Sequence, residues 1–228
     1  AVSVISQDDI RRTGVRSIPE ALRLVPGMHV AMIDANKWTV SARGFSGIWA
    51  NKLLVLMDGR SLYTPLFGGV YWDVQGTLMS NIERIEVIRG PGATLWGANA
   101  VNGVINIITR AARERQGGEV RSAAGSDYQA INSLHYGGEL ASGHYRLYAK
   151  QSRRRDGLLE SGGTARDRSD INRIGGRLDI PLSTTQSLTL QGEWYRGNND
   201  WRYNVKSAGS VAPQWRSLDE ELNGWHVL

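Results

Sequence analysis

The sequence predicts two consecutive parts of different fold class, an α+β unit at residues 1–112 and antiparallel β-strands at residues 113–228. Helix-start signals and short apolar segments dominate up to Thr109. After that residue, apolar and polar side chains alternate one by one in most segments, which is the period of a β-strand with two chemically different faces. The charged stretch at residues 110–118 marks the change and is predicted to be a connector.

Two short helices are predicted near the N-terminus. Ser6 begins the first in a capping-box pattern, in which a side chain accepts a hydrogen bond from the free N–H groups of the first turn. Ser17 is predicted to cap the second helix, with Pro19 in its first turn and Glu20 reaching back to the cap. The stretch Val25-Pro26-Gly27 ends it. Five short strands follow, at residues 28–32, 38–42, 53–57, 82–89 and 104–109.

The second part consists of alternating segments joined by connections of unequal length. The segments are residues 134–140, 145–149, 174–180 and 188–194, and they approach the about 9–11 residues of a tilted membrane-spanning strand. Short turns at 141–143 and 183–186 alternate with long polar stretches, predicted as loops, at about 154–170 and 198–221. Outer-membrane barrels have this asymmetry. A soluble antiparallel sandwich with uneven loops would give the same pattern, so both interpretations stay open on periodicity alone.

The composition excludes several functional classes. With 27 basic and 22 acidic residues the net charge is only +5, which is far from the basic surface of a nucleic-acid-binding protein. The chain has no cysteine, and its four histidines show no metal-ligand spacing. No apolar run reaches the about 18 residues that a membrane-spanning helix needs. We therefore expect no metal, no cofactor and no nucleic-acid partner.

A glycine-rich stretch follows the strand at residues 82–89 and raises the question of a nucleotide site. A dinucleotide fingerprint requires a helix after the glycines, because the helix N-terminus binds the phosphate. Only a few residues separate Gly97 from the next strand, so that helix has no room. Gly90, Pro91, Gly92 and Gly97 are instead predicted to form tight turns between closely packed strands.

Several ordered motifs carry a family resemblance. They are SVISQDDIRRTGVRSIPEALRLVPGMHV at the start, Ala42-Arg43-Gly44-Phe45, the stretch at 53–59, and IERIEVIRGPGATLWGANAVNGVINIITR from Ile82. Together they resemble the plug domain of TonB-dependent outer-membrane receptors. The resemblance implies that residues 1–112 form an α+β plug and that residues 113–228 form the N-terminal part of a transmembrane antiparallel β-barrel, which has 22 strands in the full receptor.

The resemblance also implies a function in the outer membrane of a Gram-negative bacterium. Such receptors take up a scarce ligand, most often a ferric siderophore and also cobalamin or haem, and the TonB complex supplies the energy that lets the plug gate the barrel. They perform no catalysis. A plug-type signalling or partner-binding module without transport is the alternative. The family's TonB-binding segment lies upstream of the first residue here, so we expect this chain to lack it.

The chain length sets a further expectation. About 115 residues follow the plug, which is enough for five or six spanning strands and not for the closure of a 22-stranded barrel. An open sheet in lipid would leave backbone groups unpaired. We therefore expect the chain to be a segment, or the ordered part, of a longer receptor.

Two arginines match positions at which the family joins plug and barrel. Arg43, in Ala42-Arg43-Gly44, and Arg89, in Ile88-Arg89-Gly90, are implied to meet glutamates on later barrel strands. The alternative is that each is an exposed arginine at the end of a strand.

Ligand contact is expected on plug loops. The main candidates are the aromatic residues Tyr63, Phe67, Tyr71 and Trp72, which could instead pack inside the plug. A weaker candidate loop contains Asp34, Asn36, Lys37 and Trp38. Arg153, Arg154 and Arg155 are expected near lipopolysaccharide phosphates, with a solvated charge run as the alternative.

Overall fold

The computed structural model describes residues 2–42, 44, 47, 52–64, 66–91, 96–97, 99–205 and 214–228. The chain divides into two compact units. The first unit comprises Ala1–Ile33, Lys37–Arg115 and Leu228, and the second comprises Asp34–Asn36 and Gln116–Val227.

The first unit combines two short helices with short strands. Its helices are α1 (Gln7–Thr13) and α2 (Ile18–Leu22), with single 3-10 turns at Trp72–Val74, Met79–Asn81 and Ala112–Glu114. Its strands are β1 (Val2–Ser6), β2 (Met28–Met32), β3 (Trp38–Ala42), β4 (Leu53–Met57), β5 (Arg60–Ser61), β6 (Tyr63–Thr64), β7 (Gly69–Val70), β8 (Ile82–Arg89) and β9 (Gly103–Thr109).

A five-stranded sheet in the order β1-β8-β9-β4-β5 organises this unit, with β4 and β9 parallel and the other pairs antiparallel. Apolar residues pack on both faces of this sheet. Val55, Ile85 and Ile105 belong to the larger cluster, whereas Leu54 and Val104 belong to a smaller one. Strand β4 has apolar neighbours on both faces and is a continuous apolar run, whereas charged residues interrupt the apolar ones in β8. The pairs β2–β3 and β6–β7 form separate two-stranded ribbons.

The predicted helix caps are present. The Ser6 hydroxyl accepts a hydrogen bond from the Asp9 N–H at 3.2 Å, and the Asp9 carboxylate accepts one from the Ser6 N–H at 2.9 Å. The Ser6 hydroxyl also donates to the Asp9 carboxylate at 2.6 Å. This bond and the one from the Ser6 N–H favour the ionised carboxylate and lower the pKa of Asp9. Ser17 caps α2 as predicted. Glu20 reaches back one residue further than expected, and its carboxylate accepts from the Arg16 N–H at 2.8 Å.

The five predicted strands of this unit are confirmed, four of them at their predicted bounds. The fifth begins one residue earlier, at Gly103. A Cβ there would collide with the carbonyl oxygen of Ile88 on the neighbouring strand, and the φ of Gly103 is 158°. Only glycine permits this approach of two backbones.

The second unit is a sheet of six strands in sequence order, each antiparallel to the next. The strands are β10 (Gly117–Ala123), β11 (Tyr128–Leu140), β12 (Gly143–Arg154), β13 (Ser169–Pro181), β14 (Ser187–Val205) and β15 (Gln214–Val227). Six strands agree with the five or six expected. Among the described residues, no helix combines the length and apolar character needed to cross a membrane.

In this sheet the apolar face is exposed and the polar face is buried, which is the opposite of a soluble sheet. Leu134, Leu147 and Ile174 lie on one face and are 55%, 55% and 56% exposed. On the other face, Tyr148 and Arg173 are only 6% and 3% exposed. A soluble sandwich would bury the apolar face in its core. The structure therefore excludes the sandwich and favours strands whose apolar face meets lipid.

Two predictions about this unit are wrong. The stretch 198–221 was expected to be a loop, yet β14 continues to Val205 and β15 begins at Gln214. Polar residues interrupt the apolar alternation at 196–200, but the hydrogen-bonded ladder continues through them, for example between Asn198 and Glu221. Strand β10 overlaps the predicted connector, because a segment of small and charged residues gives no clear apolar face.

Candidate functional site

The glycine-rich stretch after β8 is described only in part, and two of its glycines have positive φ angles. Gly90 and Gly97 have φ angles of 130° and 84°, which favour glycine. The Gly90 N–H donates to the Asn102 carbonyl oxygen at 2.9 Å, and the Asn102 side-chain amide donates to the Ala42 carbonyl oxygen at 3.0 Å. Pro91 is exposed. Gly92 lies outside the described residues, so the predicted role of the whole turn stays a prediction.

Arg89 makes its described contacts inside the first unit. Its guanidinium donates to the carbonyl oxygen of Pro26 and to the Ser3 hydroxyl, the latter at 3.3 Å. Arg43 lies outside the described residues. A glutamate partner for either arginine on a barrel strand therefore stays a prediction.

Two of the four aromatic ligand candidates are packed within the first unit. The Tyr63 hydroxyl donates to the Leu53 carbonyl oxygen at 2.9 Å, and burial raises the pKa of Tyr63 to about 12. Trp72 is 7% exposed and belongs to the main core cluster. Both side chains have the packing role that was the alternative to ligand contact.

The other two aromatic candidates lie together and are partly exposed. The ring centroids of Phe67 and Tyr71 are 5.8 Å apart with planes at 83°, an edge-to-face arrangement. The neighbouring Leu66 is 87% exposed, so the tip of the β6–β7 ribbon presents apolar surface. Of the four candidates, Phe67 and Tyr71 are the pair that lie against each other, and ligand contact by any of the four stays a prediction.

A buried ion pair lies directly behind Tyr71. The Lys37 ammonium is 2.6 Å from an Asp73 carboxylate oxygen, and both side chains are only 2% exposed. The same ammonium donates to the Tyr71 hydroxyl at 3.0 Å. Sequence reasoning named Lys37 but missed its pairing with Asp73. The sequence did contain a hint of the pairing, because each charged residue adjoins large apolar residues that are buried. Lys37 precedes Trp38, and Asp73 lies between Trp72 and Val74.

The segment Asp34–Asn36 is held by hydrogen bonds within the second unit and is termed the 34–36 segment. The Ala35 N–H donates to the Asp167 carboxylate at 2.8 Å. The Asn36 amide donates to the carbonyl oxygens of Asp167 and Asp200, at 2.9 and 3.0 Å. Asn36 is 4% exposed, so it is a structural residue and not an open ligand contact. Sequence reasoning could not find Asp167, which lies more than a hundred residues away.

The arginine run at the end of β12 has protein partners. Arg153 forms an ion pair with Asp170 at 2.7 Å. The Arg154 guanidinium lies 4.3 Å from the centre of the Tyr128 ring and donates to the Ala35 carbonyl oxygen. Arg154 is therefore packed against protein groups, and contact of the run with lipopolysaccharide phosphates stays a prediction.

The buried face of the second sheet carries a charged cluster. The Arg173 guanidinium and the Tyr148 hydroxyl both donate to the Glu193 carboxylate, and Arg173 lies 5.0 Å from the centre of the Tyr195 ring. The side chains of Arg173 and Glu193 are 2% and 13% exposed. Polar side chains on the inward face are typical of outer-membrane barrels, whose interiors are polar.

Comparisons with known proteins agree with this geometry. Residues 1–104 match the family model described as TonB-dependent Receptor Plug Domain. The vitamin B12 transporter BtuB of Vibrio vulnificus is 36% identical over 131 residues, which cover 57% of this chain and 21% of the relative. The iron-regulated outer membrane virulence protein of Vibrio cholerae is 31% identical over 204 residues, which cover 84% of this chain and 30% of the relative. The chain thus spans between about a fifth and a third of these relatives.

Solved structures show the same fold. The siderophore receptor PirA of Acinetobacter baumannii matches with a TM-score of 0.65 at 23% identity, over 87% of this chain and 32% of the receptor. Its similarity includes both the α+β unit and strands of the sheet that follows. Residues 1–104 therefore belong to the plug-domain family of TonB-dependent receptors, and the chain joins this plug domain to antiparallel barrel strands like those of such outer-membrane receptors of Gram-negative bacteria.

Proposed function

We propose that this receptor takes up a ferric siderophore across the outer membrane, with energy supplied through the TonB complex and with the plug domain acting as the gate. One observation carries the proposal: a plug domain is followed by a sheet that exposes its apolar face and buries its charged face. Such a sheet suits a barrel wall, and a barrel wide enough for a chelate needs a stopper.

The choice of iron rests on a relative whose similarity covers more than the plug domain. That protein is named as iron-regulated, and its similarity extends over 84% of this chain, into the barrel strands. Phe67 and Tyr71 are the proposed ligand contacts. Their partly exposed edge-to-face rings offer apolar surface and a hydroxyl to an organic chelate.

Vitamin B12 is the second candidate ligand. It is favoured by the 36% identity to the B12 transporter of Vibrio vulnificus over 57% of this chain. The B12 transporter of Photobacterium profundum is 29% identical over 88% of this chain. Both ligands are organic molecules with polar edges, so the same aromatic residues could contact either.

Uptake measurements test the proposal. The receptor is expressed from its gene in a host that lacks its own siderophore and B12 receptors, and cells are given ferric enterobactin with radiolabelled iron or radiolabelled vitamin B12. We expect saturable iron uptake that stops when the proton gradient is collapsed or TonB is deleted. Uptake of B12 alone would select the second candidate. Uptake of both that is indifferent to TonB would contradict the mechanism.

The proposed joining role of Arg43 and Arg89 is tested in the same cells. Arg43→Ala and Arg89→Ala are expected to lower uptake and to weaken the plug against urea. Arg84→Ala is the control, because Arg84 lies in the same strand as Arg89 but pairs locally with Glu83 and Glu86. Equal behaviour of all three variants would leave Arg43 and Arg89 as ordinary surface residues.

A further inference from the structure

The buried pair of Lys37 and Asp73 is unusual for the unit that contains it. Among the described residues of the first unit, Lys37 is the one lysine or arginine that is buried, with 1% of its surface exposed. Burying a charge costs free energy, and a buried ion pair is often no more stabilising than two apolar residues of the same volume. Stability alone is therefore a weak reason for a charged pair at this position.

The geometry of the pair is directed at Tyr71. The Lys37 ammonium donates to Asp73 at 2.6 Å and to the Tyr71 hydroxyl at 3.0 Å. A hydroxyl that accepts from an ammonium has its own proton turned toward a different acceptor. Tyr71 in turn meets Phe67 edge to face. One buried ammonium thus sets both the place of the ring and the direction in which its hydroxyl can donate.

The elements that carry the three residues explain how the contact is built. Lys37 lies directly before β3, and its carbonyl oxygen accepts from the Ile33 N–H at 2.9 Å. Asp73 is the middle residue of the 3-10 turn Trp72–Val74, and the side chains of Trp72 and Val74 on either side of it are buried. Both charges therefore stand on anchored backbone, whereas the ribbon tip that carries Phe67 is exposed on either side of that residue.

We propose that Lys37 and Asp73 are positioning residues of the ligand site, which hold Tyr71 so that its hydroxyl donates to an oxygen atom of the ligand while Phe67 packs against the ligand's apolar part. The inference rests on the proposed function, since it assumes that Tyr71 and Phe67 contact the ligand. The chemical class that fits is an organic molecule that carries oxygen acceptors beside an aromatic or aliphatic surface.

The test uses the receptor in outer-membrane vesicles and two sets of variants. Lys37→Met alone leaves the Asp73 carboxylate buried and unpaired, and it serves to show the cost of breaking the pair. Lys37→Met with Asp73→Leu replaces the pair by apolar residues and is expected to fold. Tyr71→Phe removes only the hydroxyl. Ile10→Ala, in α1, is the control for loss of plug stability without a change at the pair.

The first readout is equilibrium binding of ferric enterobactin and of vitamin B12. We expect the apolar double variant to bind the transported probe about tenfold more weakly than the unmodified receptor, since residues that act through a shared contact are coupled by amounts of this order. Adding Tyr71→Phe to that variant should cause little further loss. Ile10→Ala should bind normally. Independent, additive losses or a double variant with normal affinity would overturn the proposal.

The second readout does not depend on the ligand. A fluorinated tyrosine is placed at position 71 alone, and its fluorine NMR signal is recorded. We expect one narrow signal in the unmodified receptor and a shifted or broadened signal in the apolar double variant. An unchanged signal would overturn the positioning role. If the unmodified receptor takes up neither probe, the proposed function fails, while the fluorine signal still decides whether the pair fixes Tyr71.

Discussion

The two sheets of this chain place their apolar residues in opposite surroundings. In the five-stranded sheet of the plug domain, Ile85 and Ile105 are fully buried and apolar residues pack on both faces. In the six-stranded sheet, Ile174 is 56% exposed, whereas Arg173 beside it in the chain is 3% exposed. Neighbouring residues of one strand thus have the reverse of their usual environments. The difference teaches that alternation in sequence reveals two faces but not which of them is buried.

The largest effect should come from breaking the charged cluster on the buried face. Arg173→Met leaves the Glu193 carboxylate without its ion pair, and we expect a loss of about 3–5 kcal/mol in the free energy of unfolding. Urea unfolding of the receptor in lipid vesicles measures it. The control is Arg196→Met, whose pair with Glu221 is exposed at 64% and 65% and should matter by about 1 kcal/mol or less. Equal losses would remove the contrast between the faces.

Matched isoleucines test the apolar side of the comparison. Ile105→Ala opens a cavity in the plug core and is expected to cost about 2–5 kcal/mol. Ile174→Ala should cost much less, because lipid can fill the space that the side chain leaves. Both are measured by urea unfolding, with a probe in the plug domain for the first variant. A larger loss for Ile174→Ala would mean that this face is packed against protein.

Glycine substitutions should affect the two sheets alike. A Cβ on Gly103 would collide with the carbonyl oxygen of Ile88, and one on Gly197 with that of Asp170. Alanine at either position should cost about 1–3 kcal/mol, because a backbone must move. Gly118→Ala is the control, since its Cβ would meet only Tyr136 at 3.8 Å. A neutral result in one sheet alone would show that its strands can separate.

The smallest effect concerns the capping box of α1. The hydrogen bonds from Ser6 lower the pKa of Asp9, so their contribution to plug stability is present above the carboxyl's ordinary pKa of 3.8 and is lost as the pH falls through the lowered value. Ser6→Ala should reduce this acid dependence. Unfolding curves of both proteins between neutral and strongly acidic pH provide the comparison, and identical pH profiles would contradict the assignment.

Local signals predicted the plug domain well. Strand β4 is a continuous apolar run that ends at the turn residues Asp58 and Gly59, so its bounds could be read directly. The barrel strands could be located but not fully delimited, because polar residues such as Asn198 and Asn199 interrupt the apolar alternation inside β14. Strand β10 has too weak an apolar alternation to be recognised from its sequence. Its extended structure is stabilised by antiparallel hydrogen bonding to β11.

The candidate site was predictable only in part. Aromatic residues in a plug loop pointed to Phe67 and Tyr71, but nothing local distinguished them from the packed Tyr63 and Trp72. Arg89 contacts the Pro26 carbonyl oxygen and Asn36 contacts the Asp167 carbonyl oxygen, each across a long separation in sequence. Such pairs depend on the folded arrangement, which no short-range pattern encodes.

The long ladder of β14 and β15 has a consequence for how such a receptor can change over time. Their paired residues run from Gly192–Val227 to Val205–Gln214, through the polar stretch at 196–200. Because side chains alternate between faces, lengthening each strand by two residues would raise its far end by one repeat and keep every face as it is. A single added residue would move every side chain beyond it in that strand to the opposite face of the sheet. Insertions of two residues in each strand would therefore lengthen this strand pair without changing which side chains lie on each face of the sheet.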